Sequence, residues 1–318
     1  MYVLAIDIGG TKAAFGLFDD TGAISLHTEK IFAHSEETEV SNIIIEEILR
    51  ILHHCTQNNI TVKAVSVAVP GIVWADKGTV WAPNLKGWDD YPLQKEIETA
   101  IGNIPVIVNN DRTCYIVGEK WKGKTQNCVN AIFIAVGTGI GAGIMVNNKV
   151  LTGSNDVAGA VGWITLPAPG LLNPPEKICT FEHYASGRGI VLLAKNLMTM
   201  QPQYKGCLKN KQPLSARDII EAYTNDELAQ HVVQECIELW GMAAANLISI
   251  FNPDKVIFGG GVFGPAAQFL PQIKMVIDRW AQPVSAKQCT VEVSAFPKQA
   301  GMYGAACLAF QLPDQQYV

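Results

Sequence analysis

The sequence contains no hydrophobic run that approaches the ~20 residues of a membrane-spanning helix, so no membrane association is expected. Its amino terminus, MYVLAID, lacks the basic stretch of a secretory signal peptide. The eight cysteines are scattered without paired spacing, which is typical of reduced thiols in a cytoplasmic protein rather than of a disulfide framework. The net charge of −5 disfavours broad binding of nucleic acid. The sequence therefore predicts a cytoplasmic protein without membrane or nucleic-acid partners.

The composition is that of a globular chain, with 48% hydrophobic and 17% charged residues, and 318 residues are enough for two domains or for one large α/β domain. Apolar strands alternate with amphipathic helices, a pattern typical of α/β folds. A strand, a glycine–threonine turn and a second strand occur at residues 4–18 and again at residues 132–146. We interpret this repeat as two similar α/β lobes, residues 1–118 and 119–301, with a ligand cleft between them. A C-terminal helix at about 302–318 is expected to pack back on the first lobe.

Three glycine-rich turns each follow an apolar strand: Gly9–Thr11, Gly137–Gly143 and Gly259–Gly261. Because glycine has no Cβ atom, such a turn lets the backbone approach a polyphosphate closely and present its N–H groups. Each turn alone could be an ordinary hairpin. Three in one chain, two of them at matching positions in the repeat, favour nucleotide binding.

The second turn also satisfies a dinucleotide-binding pattern, G-x-G-x-x-[G/A], over residues 137–142. That pattern must open a helix, whereas here GIMVNNKVL continues as a β-hairpin. We therefore reject a dinucleotide site. The P-loop pattern is absent as well.

Several short motifs resemble those of the ROK family, which belongs to the actin, sugar-kinase and heat-shock-ATPase superfamily. The motifs are DIGGTK (7–12), VPG (69–71), NLKGW (84–88), NND (109–111), GTGIGAG (137–143), YASG (184–187), NPDKVIFGGG (252–261) and GAA (304–306). Their order and spacing match along almost the entire chain. The resemblance implies a two-lobed, ribonuclease-H-like fold, ATP with Mg²⁺, and transfer of the γ-phosphate to a sugar hydroxyl, usually at C6 of a hexose.

The resemblance also implies roles for residues on the sugar side. Asp111, at the end of the strand IPVIVNND, matches the catalytic aspartate that accepts the proton of the sugar hydroxyl, although a carboxylate there could also cap the next helix. Asn84 and Asn110 offer amides suited to sugar hydroxyls, or could be turn residues. Glu182 matches a glutamate that contacts the sugar near C1 or C2.

On the nucleotide side, the resemblance places Asp7 near Mg²⁺ and the phosphates, with a water between, because Mg²⁺ keeps several waters. Lys12 would face the phosphate tail, or could be a solvated hairpin charge. The glycines of the third turn would let adenosine lie against the backbone. The expected residues for ATP and phosphate are Asp7, Gly9, Gly10, Thr11, Lys12, Gly137, Thr138, Gly139, Gly259, Gly260 and Gly261.

Many family members carry a GEIGH stretch followed by a cysteine-rich knot that binds structural zinc. In this chain Ala160 replaces the glutamate, Trp163 replaces the histidine, and only Cys179 remains of the cysteines. A structural zinc site generally needs four nitrogen or sulfur ligands, so we predict no zinc. The segment is instead rich in proline: Pro167, Pro169, Pro174 and Pro175.

These departures leave the identity of the sugar open. Trp163 could stack on a sugar or fill the space left by the metal, and we favour the second interpretation. Asn109 also stands where relatives often have an acid. Glucose is the default substrate, and N-acetylmannosamine, another acylamino sugar and fructose are alternatives.

The sequence thus predicts an ATP-dependent kinase of a hexose or N-acetylhexosamine, homodimeric by family analogy. The alternative is a non-enzymatic, sugar-responsive transcriptional regulator of the same family without its own DNA-binding domain. The sequence begins at the first strand, with no room for a helix-turn-helix segment, which favours the kinase. A pseudoenzyme is disfavoured because Asp7, Asp111 and the three glycine turns are intact.

Overall fold

The computed structural model describes residues 1–32, 37–166 and 180–312. Its strands are β1 (Tyr2–Ile8), β2 (Lys12–Asp19), β3 (Ile24–Ile31), β4 (Val62–Val69), β5 (Ile72–Trp74), β6 (Thr79–Trp81), β7 (Asp89–Tyr91), β8 (Val106–Asn110), β9 (Ala131–Val136), β10 (Ile140–Val146), β11 (Lys149–Val150), β12 (Lys255–Gly259) and β13 (Thr290–Val293). Its α-helices are α1 (Glu37–Gln57), α2 (Leu93–Ile101), α3 (Asp111–Lys122), α4 (Phe181–Ala185), α5 (Gly187–Met200), α6 (Ala216–Glu221), α7 (Glu227–Phe251), α8 (Leu270–Trp280), α9 (Pro283–Gln288) and α10 (Ala300–Phe310).

The chain forms two compact units. Unit 1 comprises Met1–Asn127, Val150–Ala158 and the described residues from Gln299 onward, and unit 2 comprises Cys128–Lys149 and Gly159–Lys298. The boundary expected after residue 118 falls inside α3, and the units change at 127/128 instead. The return of the chain to unit 1 over Val150–Ala158 was not expected from the sequence.

Unit 1 is built on a five-stranded sheet with the order β3-β2-β1-β4-β8. Strands β1, β4 and β8 are parallel, and the hairpin β1–β2 continues antiparallel into β3. The register aligns Asp7 of β1 with Ala68 of β4, and Ala68 with Asn109 of β8. Asp7 and the start of α3 therefore lie at the same carboxyl edge of the sheet, where open α/β sheets bind their ligands.

Helix α10 packs against α3, β1 and β4 within unit 1. The helices α3 and α10 approach closely because Gly118 faces the Ala300 carbonyl oxygen and Gly304 faces the Cys114 carbonyl, positions where a Cβ atom would clash. The GAA motif at residues 304–306 is thus a helix-packing feature. A small antiparallel sheet, β5-β6-β7, completes the strands described in this unit.

Unit 2 repeats the plan with the sheet order β11-β10-β9-β12-β13. The hairpin β9–β10 is antiparallel, and β9, β12 and β13 are parallel, so β9–β10 corresponds to β1–β2. The long helix α7 supplies much of the core, including the fully buried Trp240. It ends at Asn252, whose left-handed backbone (φ 43°) lies directly before Pro253.

Within the described residues, no helix has the length and apolar character needed to cross a membrane. Seven of the eight cysteines lie in this part of the chain as free thiols, and all but Cys207 are buried. Cys179 lies outside the described residues.

Helix α1 is tied to β3 by a buried carboxylate. Glu47, 2% exposed, accepts hydrogen bonds from the Thr28 hydroxyl (2.6 Å) and the Arg50 guanidinium (2.6 and 2.8 Å) and pairs with Lys30 (3.1 Å). The Arg50 hydrogen bonds, with those from Thr28 and Lys30, lower the pKa of Glu47 to about 2 despite burial. Because this pKa is depressed on folding, the stabilisation is complete above the unfolded-state value and is lost as pH falls toward 2.

We expect Glu47→Gln to lower the free energy of unfolding by about 1.5–3 kcal/mol at pH 7, the range for hydrogen bonds to charged groups. The deficit should shrink when urea unfolding is repeated at pH 3. Glu46→Gln, a change at the exposed neighbour, is the matched control and should leave stability unchanged at both pH values. Equal losses in the two variants would contradict a specific role for Glu47.

Candidate active site

Asp7 lies near the carboxyl end of β1, with its carboxylate against the first turn of α10. A Cβ atom at Gly301 would lie 2.3 Å from Asp7 Oδ2, so a larger residue there would displace the carboxylate. Burial, and next the negative charge of Asp111, raise the pKa of Asp7 to about 7, and Lys12 opposes them. Two carboxylates that repel each other in a desolvated place are suited to receive a cation.

Asp111 is the first residue of α3 and is half-buried. The helix is capped by Asn110, whose Oδ1 accepts a hydrogen bond from the Thr113 N–H (2.8 Å), so the cap is the residue before Asp111. Burial raises the pKa of Asp111, and the Arg112 charge and a hydrogen bond from the Tyr115 hydroxyl to Oδ2 (3.2 Å) oppose the rise. An acid tuned in this way can act as a general base.

Two residues outside the predicted site, Arg112 and Asp156, hold the end of β8 in place. Asn110 Nδ2 donates to Asp156 Oδ2 (2.6 Å), and Arg112 donates to the carbonyl oxygens of Gly71 (3.0 Å) and Asp156 (3.1 Å). Asp156 belongs to the segment Val150–Ala158, which returns to unit 1. No local sequence pattern predicts that return. These bonds fasten two loops to the helix that carries Asp111.

The NLKGW segment forms a loop beside the first glycine turn. Its Trp88 is fully buried and stacks on Tyr91, with ring centroids 4.7 Å apart, which anchors the loop. A Cβ atom at Gly10 would lie 3.6 Å from the Cβ atom of Asn84, so the exposed Asn84 is close to the turn. The structure thus brings Asn84 to the first glycine turn.

The first glycine turn is closed by a hydrogen bond from the Gly9 N–H to the Lys12 carbonyl oxygen (2.8 Å). The Lys12 ammonium pairs with Glu29 at 2.7 Å on the exposed face of the hairpin. This ion pair matches the alternative interpretation, in which Lys12 is a solvated charge on the hairpin. Thr11 is exposed in the same turn.

Unit 2 has a cavity of 630 Å³ beside its two glycine turns, lined by Gly137, Thr138 and Gly261. Gly260 has a positive φ of 87°, and a Cβ atom there would lie 2.5 Å from the carbonyl oxygen of Val136, the residue before the second glycine turn. The third turn therefore packs closely against the start of the second. The cavity also includes Pro265 and the amphipathic helix α5. The two predicted turns therefore line one site.

Three cationic side chains of this cavity were missed in the sequence: Arg188, Lys195 and Arg217. They come from α5 and α6, outside the motifs. The SGRG segment (186–189) is the sequence signal that could have located Arg188. In this segment Ser186 caps α5, and the Gly187 N–H donates to the Gly137 carbonyl oxygen (2.8 Å) in the second glycine turn. Together with the glycine turns, these cations suit a polyphosphate.

Glu182 lies in unit 2, where its Oε2 accepts a hydrogen bond from the Ile140 N–H (2.6 Å) at the start of β10. A Cβ atom at Gly139 would lie 2.6 Å from the same oxygen. The carboxylate therefore supports the second glycine turn. This contact was not expected from the sequence, which assigned Glu182 to the sugar.

Trp163 and Glu182 line a smaller cavity of 290 Å³, together with Thr180 and His183. The Trp163 side chain is 64% exposed, so it fills no space in the core. The interpretation that Trp163 replaces the metal as a plug is therefore wrong. Ala160 caps the short helical turn that presents Trp163.

In residues 1–32, 37–166 and 180–312, no group of three or more His, Cys, Asp or Glu side chains could hold a metal ion. Cys179 and the proline-rich segment lie outside these ranges.

The absence of structural zinc remains a prediction. We expect mass spectrometry under native conditions and elemental analysis to find less than a stoichiometric amount of zinc, and folding to survive a chelator. One zinc ion per chain would contradict it.

The chain is similar to known proteins along almost its whole length. The sequence profile of the ROK family matches residues 3–312. The chain is 29% identical over 320 residues to a glucokinase of Halalkalibacterium halodurans, covering 98% of this chain and 95% of the relative. It is 30% identical over 275 residues to a putative xylose repressor of Caldicellulosiruptor sp., covering 86% and 67% respectively.

Solved structures show the same likeness. A ROK family glucokinase from Streptomyces griseus, in complex with glucose and AMPPNP, superposes with a TM-score of 0.80 at 30% identity, covering 98% of this chain and all of the other. The family resemblance and the α/β, actin-like ATPase fold class expected from the sequence are thereby confirmed.

Proposed function

Because this chain belongs to the ROK family, we propose that it is an ATP-dependent kinase that phosphorylates a hexose or N-acetylhexosamine, at the C6 hydroxyl. The observation that carries the proposal is Asp111, a half-buried carboxylate beside Asp7 at the carboxyl edge of the unit 1 sheet. Its raised pKa suits a group that accepts a proton in the reaction.

Phosphoryl transfer needs positioning, charge neutralisation and a base. The sugar hydroxyl gives its proton to Asp111 as its oxygen bonds to the γ-phosphorus of ATP. The bond between that phosphorus and the β–γ bridging oxygen breaks, and ADP leaves. The Tyr115 hydroxyl donates a hydrogen bond to Oδ2 of Asp111 and so helps to orient the carboxylate for the sugar hydroxyl. Asn84 and Asn110 are the proposed hydrogen-bonding partners of the sugar.

The cavity of unit 2 is the proposed nucleotide site. It suits ATP because glycines without Cβ atoms let the backbone approach the phosphates, and three cationic side chains in the lining offset the phosphate charge. Glu182 supports the second glycine turn through its Oε2 atom, and its contact with the sugar near C1 or C2 stays a prediction from the family resemblance. A Mg²⁺ ion bound with ATP would be held near Asp7 and would neutralise phosphate charge.

The hydrogen bond from Tyr115 to Asp111 stabilises the ionised form of the base. Tyr115→Phe should therefore raise the pKa of Asp111 and move the acidic limb of the kcat/KM profile to higher pH, with a smaller loss of rate at pH 8 than at pH 6. Tyr91→Phe is the control, because it removes a phenol–carboxylate bond to Glu96 elsewhere in unit 1. An unshifted limb in Tyr115→Phe would contradict the assignment.

We also propose that the protein works in the cytoplasm as a homodimer, as the family resemblance implies. Light scattering coupled to size-exclusion chromatography should give twice the 34.5 kDa mass of the chain. A mass of one chain at micromolar concentration would contradict the dimer.

A second candidate, a sugar-responsive regulator, is favoured by the likeness to a putative xylose repressor. A coupled assay of ADP release with glucose, mannose, fructose, N-acetylmannosamine and N-acetylglucosamine separates the two. The kinase predicts turnover with at least one of these sugars. Sugar binding by calorimetry without turnover of any sugar would support the regulator instead.

A further inference from the structure

Unit 1 contains a second cavity, of 580 Å³, directly beside the proposed base. Its walls are the hairpin from β5 to β6, the last residues of β8 and the loop 152–156, and Asn110 forms part of the wall. Asp111 follows Asn110 in the chain. Asn110 is a proposed partner of the hexose, whereas Asn84, Asp111 and the proposed nucleotide residues do not line this cavity. Its volume is in the range of sites that hold a small molecule.

Six of the thirteen residues that line the cavity have neutral polar side chains. The amides of Asn109 and Asn155 and the hydroxyl of Ser154 make no hydrogen bond to any other residue that the structure describes. Asn109 is half-buried, so its free amide is not simply a surface group. Amides and hydroxyls that both donate and accept hydrogen bonds match the hydroxyl groups of a carbohydrate.

An aromatic ring completes the lining. Trp74 is half-buried in the β5 wall, and an indole face packs well against the apolar face of a pyranose ring. The ammonium of Lys77, the one cationic side chain of this lining, lies 5.1 Å from the centre of that indole. The carboxylates of Asp76 and Asp156 also line the space, so its charge disfavours an acidic or phosphorylated group.

The cavity is fastened to the element that carries the base. Arg112, next to Asp111, donates to Gly71 before the β5 strand and to Asp156 in the opposite loop. Asp156 in turn accepts from Asn110. A group bound in this cavity is therefore held at a fixed distance from Asp111, which is what an extension of the acceptor site requires.

We propose that this cavity is a subsite for a neutral glycosyl unit attached to the phosphorylated hexose, so that the protein acts on a disaccharide or glycoside in preference to the free sugar. The inference rests on the proposed function, since it names the acceptor class of the same site. An acetamido group alone would occupy little of the volume and would leave Trp74 without a partner ring.

The test compares kcat/KM for glucose and N-acetylglucosamine with that for cellobiose, maltose and N,N′-diacetylchitobiose. At least one disaccharide should exceed its monosaccharide about tenfold. Trp74→Ala and Asn109→Ala should each reduce that ratio about tenfold. Trp280→Ala and Asn103→Ala, which remove exposed side chains elsewhere, are controls that should preserve it. A wild-type ratio of one or less, or a ratio unaffected in both cavity variants, would overturn the subsite.

Calorimetry with the same disaccharides measures the cavity without requiring turnover. Binding that weakens about tenfold in Trp74→Ala, but not in Trp280→Ala, supports the subsite even if no sugar is phosphorylated. Absence of turnover with every sugar counts against the proposed kinase instead, so the two failures are distinguishable. Equal affinities in wild type and Trp74→Ala would overturn the subsite in either case.

Discussion

Asp111→Asn should lower kcat for sugar phosphorylation by about 10²–10⁴-fold, the usual contribution of a general base. The amide keeps the size of the side chain but cannot accept the hydroxyl proton. The fold is expected to persist because the helix cap is provided by Asn110, whose hydrogen bond to Thr113 is untouched. ADP release gives the rate, and circular dichroism with thermal unfolding gives the fold.

Asp20→Asn, at an exposed turn of the same unit, is the matched control and should keep full activity. The affinity of Asp111→Asn for ATP should be close to that of the wild type, since the proposed nucleotide cavity is built from unit 2 residues. Wild-type turnover by folded Asp111→Asn would show that another group accepts the proton.

Asp7→Asn should have opposite effects on activity and stability. The carboxylate is needed near Mg²⁺ and the phosphates, so kcat should fall at least about 10²-fold, a loss expected for a preorganised charged group. Burial and Asp111 raise the pKa of Asp7 to about 7 in the folded protein. The folded state therefore binds a proton more tightly than the unfolded state, whose aspartate has an ordinary pKa near 3.9.

For a raised carboxyl pKa, stability falls as pH rises from about 4 to about 7, and the full cost is present above that range. The neutral amide removes this cost. Asp7→Asn should thus raise Tm of the ligand-free protein by about 3 °C or more at pH 8 and by roughly a third of that at pH 5, where only part of the cost is present. A Tm that falls by the same amount at both pH values would contradict a destabilising charge at Asp7.

Much of the fold follows from local sequence signals. The two β-hairpins with glycine turns, the helix that ends at Asn252–Pro253 and the strand IPVIVNND all occur where the apolar periodicity and turn residues predict them. The division into units was less predictable. Residues 150–158 return to unit 1 through contacts distant in sequence, such as Asp156 with Asn110, and no local pattern encodes them.

The site shows the same division between local and distant information. Motifs located Asp7, Asp111 and the glycine turns, because backbone geometry and strand ends require those residue types. They did not locate Arg188 or Arg217, which reach the nucleotide cavity from helices without a motif. Trp163 was misinterpreted because exposure cannot be read from a residue type alone: an apolar side chain suggested a buried plug, whereas the indole is 64% exposed.

The proposed function depends on one chemical event, transfer of a phosphoryl group from ATP to a sugar hydroxyl. The most direct measurement is ³¹P nuclear magnetic resonance of a reaction that contains the wild-type protein, MgATP and each candidate sugar in turn. With at least one sugar, ADP and a sugar phosphomonoester at C6 should appear in equal amounts. Formation of ADP and inorganic phosphate without any phosphorylated sugar would contradict that function.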